Sequence, residues 1–497
     1  MNAKKNSIFR SGLLVALFAL LSKCLGFLRE TLIAAYFGAT TETDAFFLAQ
    51  NMPAMIFPAV CTSISTAFIS LYVLRLTEKG ERCGDRYASR MLWASLLLSV
   101  VLSMAGTTCA PLLVPLFAPG FSQSQVTLAT HLTRLTMAAF PLTMLQYMLS
   151  AILNAKKLFI GSQVAGLLYN IVIIAVTVAL GSSQSLDTLT LTIVAGVAVQ
   201  VLILVVCCQG KFHATLRVSP IHPDTGQLVR LTLPILLGNS IVQINNIVDK
   251  ALGSTLPEGS LSALSYGNTL SGIVINVLIV SLSTVLYPTL TSNASAGDME
   301  TYGATLHRSL NVLSAILVPV TFITVLSAPN IVSIVYERGN FQQDAVAYTA
   351  IVLSCYAPMF AASGIREILT RGFFALQDSK TPMRNSAIGV GSNIVFSLVF
   401  IRWLGIAGIA LGTSLSAYIS AVLLFVSMHR RFPQFHLPAY CKKLLVQSTA
   451  GLVMAGILVL LHRWYGLSSP LLQFAADTTV GFAIYLLLLF IMGFRKF

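Results

Sequence analysis

Residues Ser22 to Pro53 read SKCLGFLRETLIAAYFGATTETDAFFLAQNMP. The stretch begins inside an apolar run long enough to cross a bilayer, which takes about 20 residues as a helix. Lys23, Arg29 and Glu30 lie within that run. A polar turn, Gly38 to Glu42, follows, and Asp44 opens a second long apolar run. A charged side chain at mid-bilayer costs roughly 2.5–3.5 kcal/mol on insertion scales, so it usually faces protein or a wet cavity. Three ionisable groups so close together on one membrane helix point to a polar pathway. The alternative is structural: Glu30 stands seven residues from Lys23, nearly on its face, and the two satisfy each other in a packed bundle. Arg29 is then the more available cation.

The rest of the chain agrees with a membrane setting. Of 497 residues, 56% are hydrophobic and 10% charged, against about 25% charged in soluble proteins. About fourteen apolar runs of spanning length fall between residues 9 and 494, joined by short connections with no room for a soluble domain. The expected fold is therefore an all-α polytopic membrane protein. The net charge of +14 is no sign of nucleic acid, because Lys and Arg collect in cytoplasmic loops of membrane proteins. Arg75, Lys79, Arg82, Arg86, Lys156, Lys157, Lys211, Lys380, Arg430 and Arg431 fall on one side, and loops near 38–43, 114–125, 182–187 and 254–260 carry no Lys or Arg. This bias predicts that both termini are cytoplasmic. The eight cysteines form no CxxC and read as small hydrophobes.

An internal repeat appears when the sequence is shifted by 218 residues. Ser63-Ile-Ser-Thr66 then meets Ser281-Leu-Ser-Thr284, Arg90 meets Arg308, and Ala110-Pro111 meets Ala328-Pro329. Asn170-Ile-Val172 matches Asn393-Ile-Val395 after a small insertion. Spans 1–6 thus repeat as spans 7–12 in the same orientation, with two spans left over. The pattern predicts a first lobe at 1–210, a second at 211–430, and a C-terminal pair at 431–497. Parallel repeats of this kind place a site between the halves and suit alternating access.

No enzyme signature occurs. The seven histidines make no HExxH or other metal spacing, and there is no Walker A loop. Neither a metal nor an organic cofactor is expected. The remaining intramembrane charges are Asp249 and Lys250 near the outer end of span 7, Arg134 in span 4, and Arg366 with Glu367 in span 10. Each reads either as cavity lining or as an interface anchor. Pro53 and Pro58 interrupt span 2, and Asn268 and Thr269 sit in span 8. Such groups are tolerated where neighbouring helices or a water-filled cavity satisfy them.

These residues resemble the MurJ (MviN) lipid II flippase family of the MOP exporter superfamily. Ser22-Lys-Cys-Leu-Gly-Phe-Leu-Arg-Glu30 is similar to that family's S-R-x-L-G-F-x-R-[DE] segment. Phe37-Gly38 with Thr43-Asp-Ala-Phe-Phe47, Ala118-Pro-Gly-Phe121, Tyr336-Glu-Arg-Gly339 with Phe341, and Phe373-Phe-Ala-Leu-Gln-Asp378 with Lys380-Thr-Pro382 also match, in order. The resemblance implies a MOP/MATE-like fold of two six-helix repeats plus two C-terminal helices that form a groove for a lipid tail. It implies a carrier of undecaprenyl-diphosphate-linked disaccharide-pentapeptide, lipid II, from the inner to the outer leaflet of the bacterial cytoplasmic membrane. Membrane lipids and cell-wall synthesis proteins are the further partners it suggests, and a coupling ion or the membrane potential would supply direction. Arg29, Lys23, Glu30 and Asp44 map onto the family's charged positions.

The chain departs from that pattern twice. Asn51-Met-Pro-Ala-Met-Ile-Phe-Pro58 carries no base where the family often has an arginine. Tyr266-Gly-Asn-Thr269 ends in threonine where the family has arginine. Lys250 is a candidate replacement, so the expected substrate-binding set is Arg29, Lys23, Glu30, Asp44, Lys250, Asn268 and Thr269. Two rival readings are an exporter of another lipid-linked oligosaccharide, such as a capsule or teichoic-type unit, and a non-transporting cell-wall scaffold.

Overall fold

The computed structural model describes residues 2–215, 223–432, 437–465, 467 and 469–492, and these are helical almost throughout. The chain forms two compact units, Met1–Thr255 and Leu256–Phe497.

The first unit contains α1 (Asn2–Phe37), α2 (Thr41–Phe117), α3 (Gln123–Ala138), α4 (Phe140–Ala155), α5 (Phe159–Leu180), α6 (Leu186–Cys208) and α7 (Pro223–Gly253). The turn from α1 to α2 follows from its sequence. Gly38 takes φ 67°, which ends α1 without a Cβ penalty. Thr40 caps α2 by accepting from the Thr43 amide, and the Thr43 hydroxyl donates to the Phe37 carbonyl at 3.0 Å. Asp44 then lies in the first turn of α2, at the favourable end of the helix dipole.

Helix α2 is a hairpin. At Gly80 the backbone takes φ 77° and ψ 174°, a conformation that glycine adopts without strain. The rings of Phe68 and Tyr87 stack at 5.9 Å, and the Tyr72 hydroxyl donates to Asp85 at 2.8 Å. Residues 19 apart on a straight helix would be about 28 Å apart, so the two arms fold back on one another. Gly84 makes the close contact: an added Cβ would stand 2.6 Å from Leu76 Cδ2. The prolines of the first arm are accommodated alongside hydroxyls that bond back to the helix, such as Ser63 to the Ala59 carbonyl at 2.6 Å.

The second unit contains α8 (Ser260–Val274), α9 (Ser281–Ser295), α10 (Met299–Tyr336), α11 (Gln343–Tyr356), α12 (Met359–Ala375), α13 (Lys380–Leu404), α14 (Ile406–Arg431), α15 (Leu437–Tyr465) and α16 (Pro470–Ile491). A π-helical turn, Ile275–Val280, joins α8 to α9. Helices α15 and α16 pack on α10 through a core of Val318, Ile323, Ala450, Met454, Leu458, Tyr485 and Leu489.

The internal repeat is written into the turns. Left-handed residues recur in matching order: Gly38 and Gly259 (φ 67° and 78°), Gly80 and Gly297 (77° and 72°), Lys157 and Gln377 (61° and 60°), Gly181 and Gly405 (both 54°). Lys157 and Gln377 carry side chains in this region, which is uncommon and makes their correspondence informative.

Ten helices among the described residues are long and apolar enough to cross a membrane, or eleven if the bent pair α11–α12 forms one span. The expected number was about fourteen. Thr41–Phe117 counts once in the ten although Gly80 divides it into two arms, and α1 and α7, whose side chains lie partly outside the described residues, are not among them.

Candidate functional site

The charged stretch of α1 is held by α5. Arg29 Nη2 donates to Glu30 Oε1 at 2.6 Å, and Arg29 Nη1 donates to Asn170 Oδ1 at 3.3 Å. Asn170 Nδ2 donates in turn to the Gly166 carbonyl (3.2 Å) and the Ser22 carbonyl (3.3 Å). The Arg29 guanidinium also lies 5.6 Å from the centre of the Tyr169 ring, within range of a cation–π contact. Gly26 and Gly166 lie at this contact: a Cβ on Gly26 would stand 3.8 Å from Asn170 Oδ1, and one on Gly166 3.6 Å from the Ser22 hydroxyl, both ordinary van der Waals distances. Ser22, Gly26 and Arg29 share a helix face because they are spaced by four and three residues.

This pairing differs from the sequence expectation. Glu30 engages Arg29, not Lys23, and Arg29 is not the loose cation of the helix. Lys23 lies on an exposed part of α1. Arg29 and Glu30 are both about one-fifth exposed, so the pair is reachable by a ligand but not bathed in water.

The other expected residues fall in two places. Asp44 is buried at 3% exposure. Lys250 is half-buried on α7, and Asp249 and Asp44 are the charged groups that act on it. Asn245 donates to Asp249 at 3.2 Å, so polar residues of α7 support this group. In the second unit, Asn268 is exposed and Thr269 half-buried, with the Thr269 hydroxyl donating to the Ser265 carbonyl at 3.0 Å. Thus Arg29 and Glu30 come together, Asp44 and Lys250 come together, and Asn268 and Thr269 belong to the other unit.

Sequence reasoning missed three partners. Asn170 was visible as a repeat match, but nothing in its spacing tied it to Arg29. Asp85 accepts from Tyr72, from Lys156 Nζ (3.1 Å) and from the His213 amide (3.0 Å). Asp224 bridges Arg75 (2.7 Å) and Arg90 (2.6 Å), one from each arm of α2. Several residues counted only as cytoplasmic charge therefore fasten α4, α7 and the hairpin together.

The matched motifs also acquire reasons. Gly120 of Ala118-Pro-Gly-Phe121 lies against the end of α7, where a Cβ would meet the Ser254 carbonyl oxygen at 2.3 Å. Tyr266, Tyr336 and Phe341 form a buried aromatic cluster with centroids 5.0–5.5 Å apart. Asp378 accepts from the Thr381 amide (3.0 Å) and hydroxyl (2.8 Å) and pairs with Arg431, fixing the start of α13. The hydrogen bonds from Thr381 and the Arg431 charge hold the Asp378 carboxyl below the usual carboxylate range.

A many-helix membrane fold with an internal repeat and charged groups inside its apolar helices is the architecture of a polytopic transporter. A solved structure described as a multidrug resistance MATE family transporter of the MOP superfamily, inward-facing, shares that fold: TM-score 0.71, 14% identity, covering 85% of this chain and 98% of the other. The sequence profile of the family described as Lipid II flippase MurJ matches residues 33–474, and the chain belongs to that family. A "Lipid II flippase MurJ" of Burkholderia cenocepacia is 28% identical over 98% of both chains. A "Probable lipid II flippase MurJ" of Rhizobium tropici is 26% identical over 95% of this chain and 92% of its own. The structure described as lipid II flippase MurJ in an inward closed conformation superposes with TM-score 0.82 at 24% identity, over 97% of this chain and 98% of that one.

Proposed function

We propose that this protein is a lipid II flippase. It moves the undecaprenyl-diphosphate-linked peptidoglycan precursor from the inner to the outer leaflet of the bacterial cytoplasmic membrane by alternating access. The observation that carries this reading is the family match over 33–474. The site chemistry supports it: a guanidinium held in the membrane by Asn170 and Tyr169 offers the forked donors that suit a diphosphate. Both termini are cytoplasmic on this reading, by the basic loops. Helices α15 and α16 receive the polyprenyl tail. The membrane potential supplies direction, since one elementary charge crossing 100 mV is worth roughly 2.3 kcal/mol and an anion leaves a negative interior downhill. Catalytic chemistry forms no part of the proposal.

The test is rescue. A bacterial host is depleted of its resident lipid II flippase, this chain is expressed, and lipid II reaching the outer leaflet is measured. Export that is restored, and lost in Arg29→Ala at equal membrane level, supports the reading. Absence of export from protein that reaches the membrane overturns it. Export of a different lipid-linked saccharide is the second reading; the uncharged Thr269, its hydroxyl bonded within α8, favours it.

A further inference from the structure

Arg366 lies within α12, in a bent span of the second unit. Every residue from Met359 to Ile365 is buried, and Arg366 is the first exposed position of the helix. From there an accessible stripe runs through Thr370 to Phe374, four residues apart each time and therefore on one face. The stripe is about 12 Å long at 1.5 Å per residue. It leads to the end of α12 where Arg371, Lys380, Arg384, Arg430 and Arg431 collect, the pattern of a cytoplasmic edge. Arg366 thus stands where the fully buried part of α12 gives way to an accessible face that continues toward the basic end of the helix.

The local acid is engaged elsewhere. Glu367 accepts from Arg371 Nε at 2.9 Å and from the Ser283 hydroxyl at 3.3 Å, and Arg371 also lies 5.6 Å from the Tyr287 ring centre. Arg366 makes no hydrogen bond and no ion pair among the described residues, although Glu367 is adjacent. Helix α8, which carries Asn268 and Thr269, contains no Lys or Arg. A guanidinium on an apolar helix without a bonded anion is unfavourable, and its planar fork is matched to phosphate oxygens.

We propose that Arg366 is an anion-binding residue, and that its ligand is the diphosphate of a polyprenyl-linked cargo entering from the inner leaflet. The identity of the cargo rests on the flippase reading; diphosphate binding at Arg366 is tested apart from it.

The experiment uses the purified full-length protein in nanodiscs and measures binding of undecaprenyl diphosphate. Inorganic pyrophosphate and phosphatidylglycerol serve as competitors. Arg366→Gln should weaken binding by about tenfold, the low end for losing a charge-assisted hydrogen bond. Arg366→Lys, which keeps the charge and loses the fork, should fall between. Lys variants that elute as folded protein keep the test decisive if Gln disturbs folding. Unchanged affinity in Arg366→Gln, or no binding of undecaprenyl diphosphate by the unsubstituted protein, overturns the proposal. Equal competition by phosphatidylglycerol overturns it also, by making the site a seat for ordinary lipid headgroups. Pyrophosphate competition with no effect of phosphatidylglycerol supports it. Export in the depleted host is scored separately: normal export and unchanged binding in Arg366→Gln sink Arg366 and leave the flippase reading standing. A protein that binds through Arg366 yet exports no lipid II does the reverse.

Discussion

Glu30 Oε1 stands 2.6 Å from Arg29 Nη2, so the acid beside the cation occupies one arm of its fork. An entering phosphate must share or displace that carboxylate. Asn170 holds the other arm and leaves the guanidinium in place while Glu30 moves. Glu30→Gln removes the competing charge and keeps the shape. Its expected effect is tighter binding of undecaprenyl diphosphate, by about threefold to tenfold given the worth of a partly exposed ion pair. Export slows because release becomes harder. Binding and export measured on the same preparations check this; weaker binding in Glu30→Gln would show that the carboxylate supports the site instead.

The pairing also shows where a sequence stops informing. Neighbouring positions on a helix point about 100° apart, so spacing favoured Lys23 over Arg29 as the partner of Glu30. The long guanidinium bridges that angle because Asn170, 141 residues away, fixes its far end. No local pattern records such a contact. The turns, in contrast, were readable, because Gly38, Thr40 and Thr43 act through backbone bonds within six residues of one another. The repeat was readable for the same reason, and the positive-φ residues Lys157 and Gln377 fall at corresponding turns of it. Helix α7 lay between these cases: its charges were noted, but its fastening to α2 through Asp224 depends on residues 134 and 149 positions away.

Asp224 neutralises two arginines that are each less than one-fifth exposed. Asp224→Asn leaves both without their carboxylate. Breaking a buried ion pair from one side costs about 3–5 kcal/mol, and partial exposure brings the expectation here to roughly 2 kcal/mol. A lower midpoint of thermal unfolding in detergent, with Asp224→Glu near the unsubstituted value, is the expected result. A neutral Asp224→Asn would show that the bridge is solvent-screened.

Gly80 and Gly84 sit four residues apart and fail for different reasons. Nothing lies within 4 Å of a Cβ added at Gly80, so Gly80→Ala meets only backbone strain, about 1–3 kcal/mol for a region populated almost only by glycine. Gly84→Ala instead pushes on Leu76 at 2.6 Å. Gly84→Ala combined with Leu76→Ala should recover stability, whereas Leu76→Ala should not rescue Gly80→Ala. Thermal unfolding of the four variants reads this directly.

Asp378 gives a pH dependence with a definite sign. Its folded carboxyl is held below the usual range first by the Thr381 amide, then by the Thr381 hydroxyl and Arg431. Its contribution is therefore present above the ordinary carboxylate value near about 4 and is lost as pH falls through the lower folded value. Asp378→Asn should lower stability by about 1 kcal/mol at neutral pH, in the range for a lost helix cap. The difference from the unsubstituted protein should shrink below about pH 4. A difference that does not change with pH would remove the ionised cap from the explanation.

Asp477 joins three helices of the second unit at one carboxylate. It is fully buried on α16 and accepts from the Ser327 hydroxyl of α10 (2.7 Å) and from Gln473 (3.1 Å), and it meets His462 Nε2 of α15 at 2.6 Å. His462 is about a third exposed, so its removal opens one side of the group to water, whereas removal of Asp477 strands three buried or half-buried polar partners. Asp477→Leu should accordingly destabilise more than His462→Phe, by about 2 kcal/mol, because unsatisfied buried groups carry their full desolvation penalty. If α15 and α16 receive the polyprenyl tail, Asp477→Leu should also weaken binding of undecaprenyl diphosphate and spare binding of inorganic pyrophosphate. Unfolding midpoints and the two binding measurements together decide the point. Equal loss of both ligands would place the effect of Asp477 on the whole unit instead of on the tail.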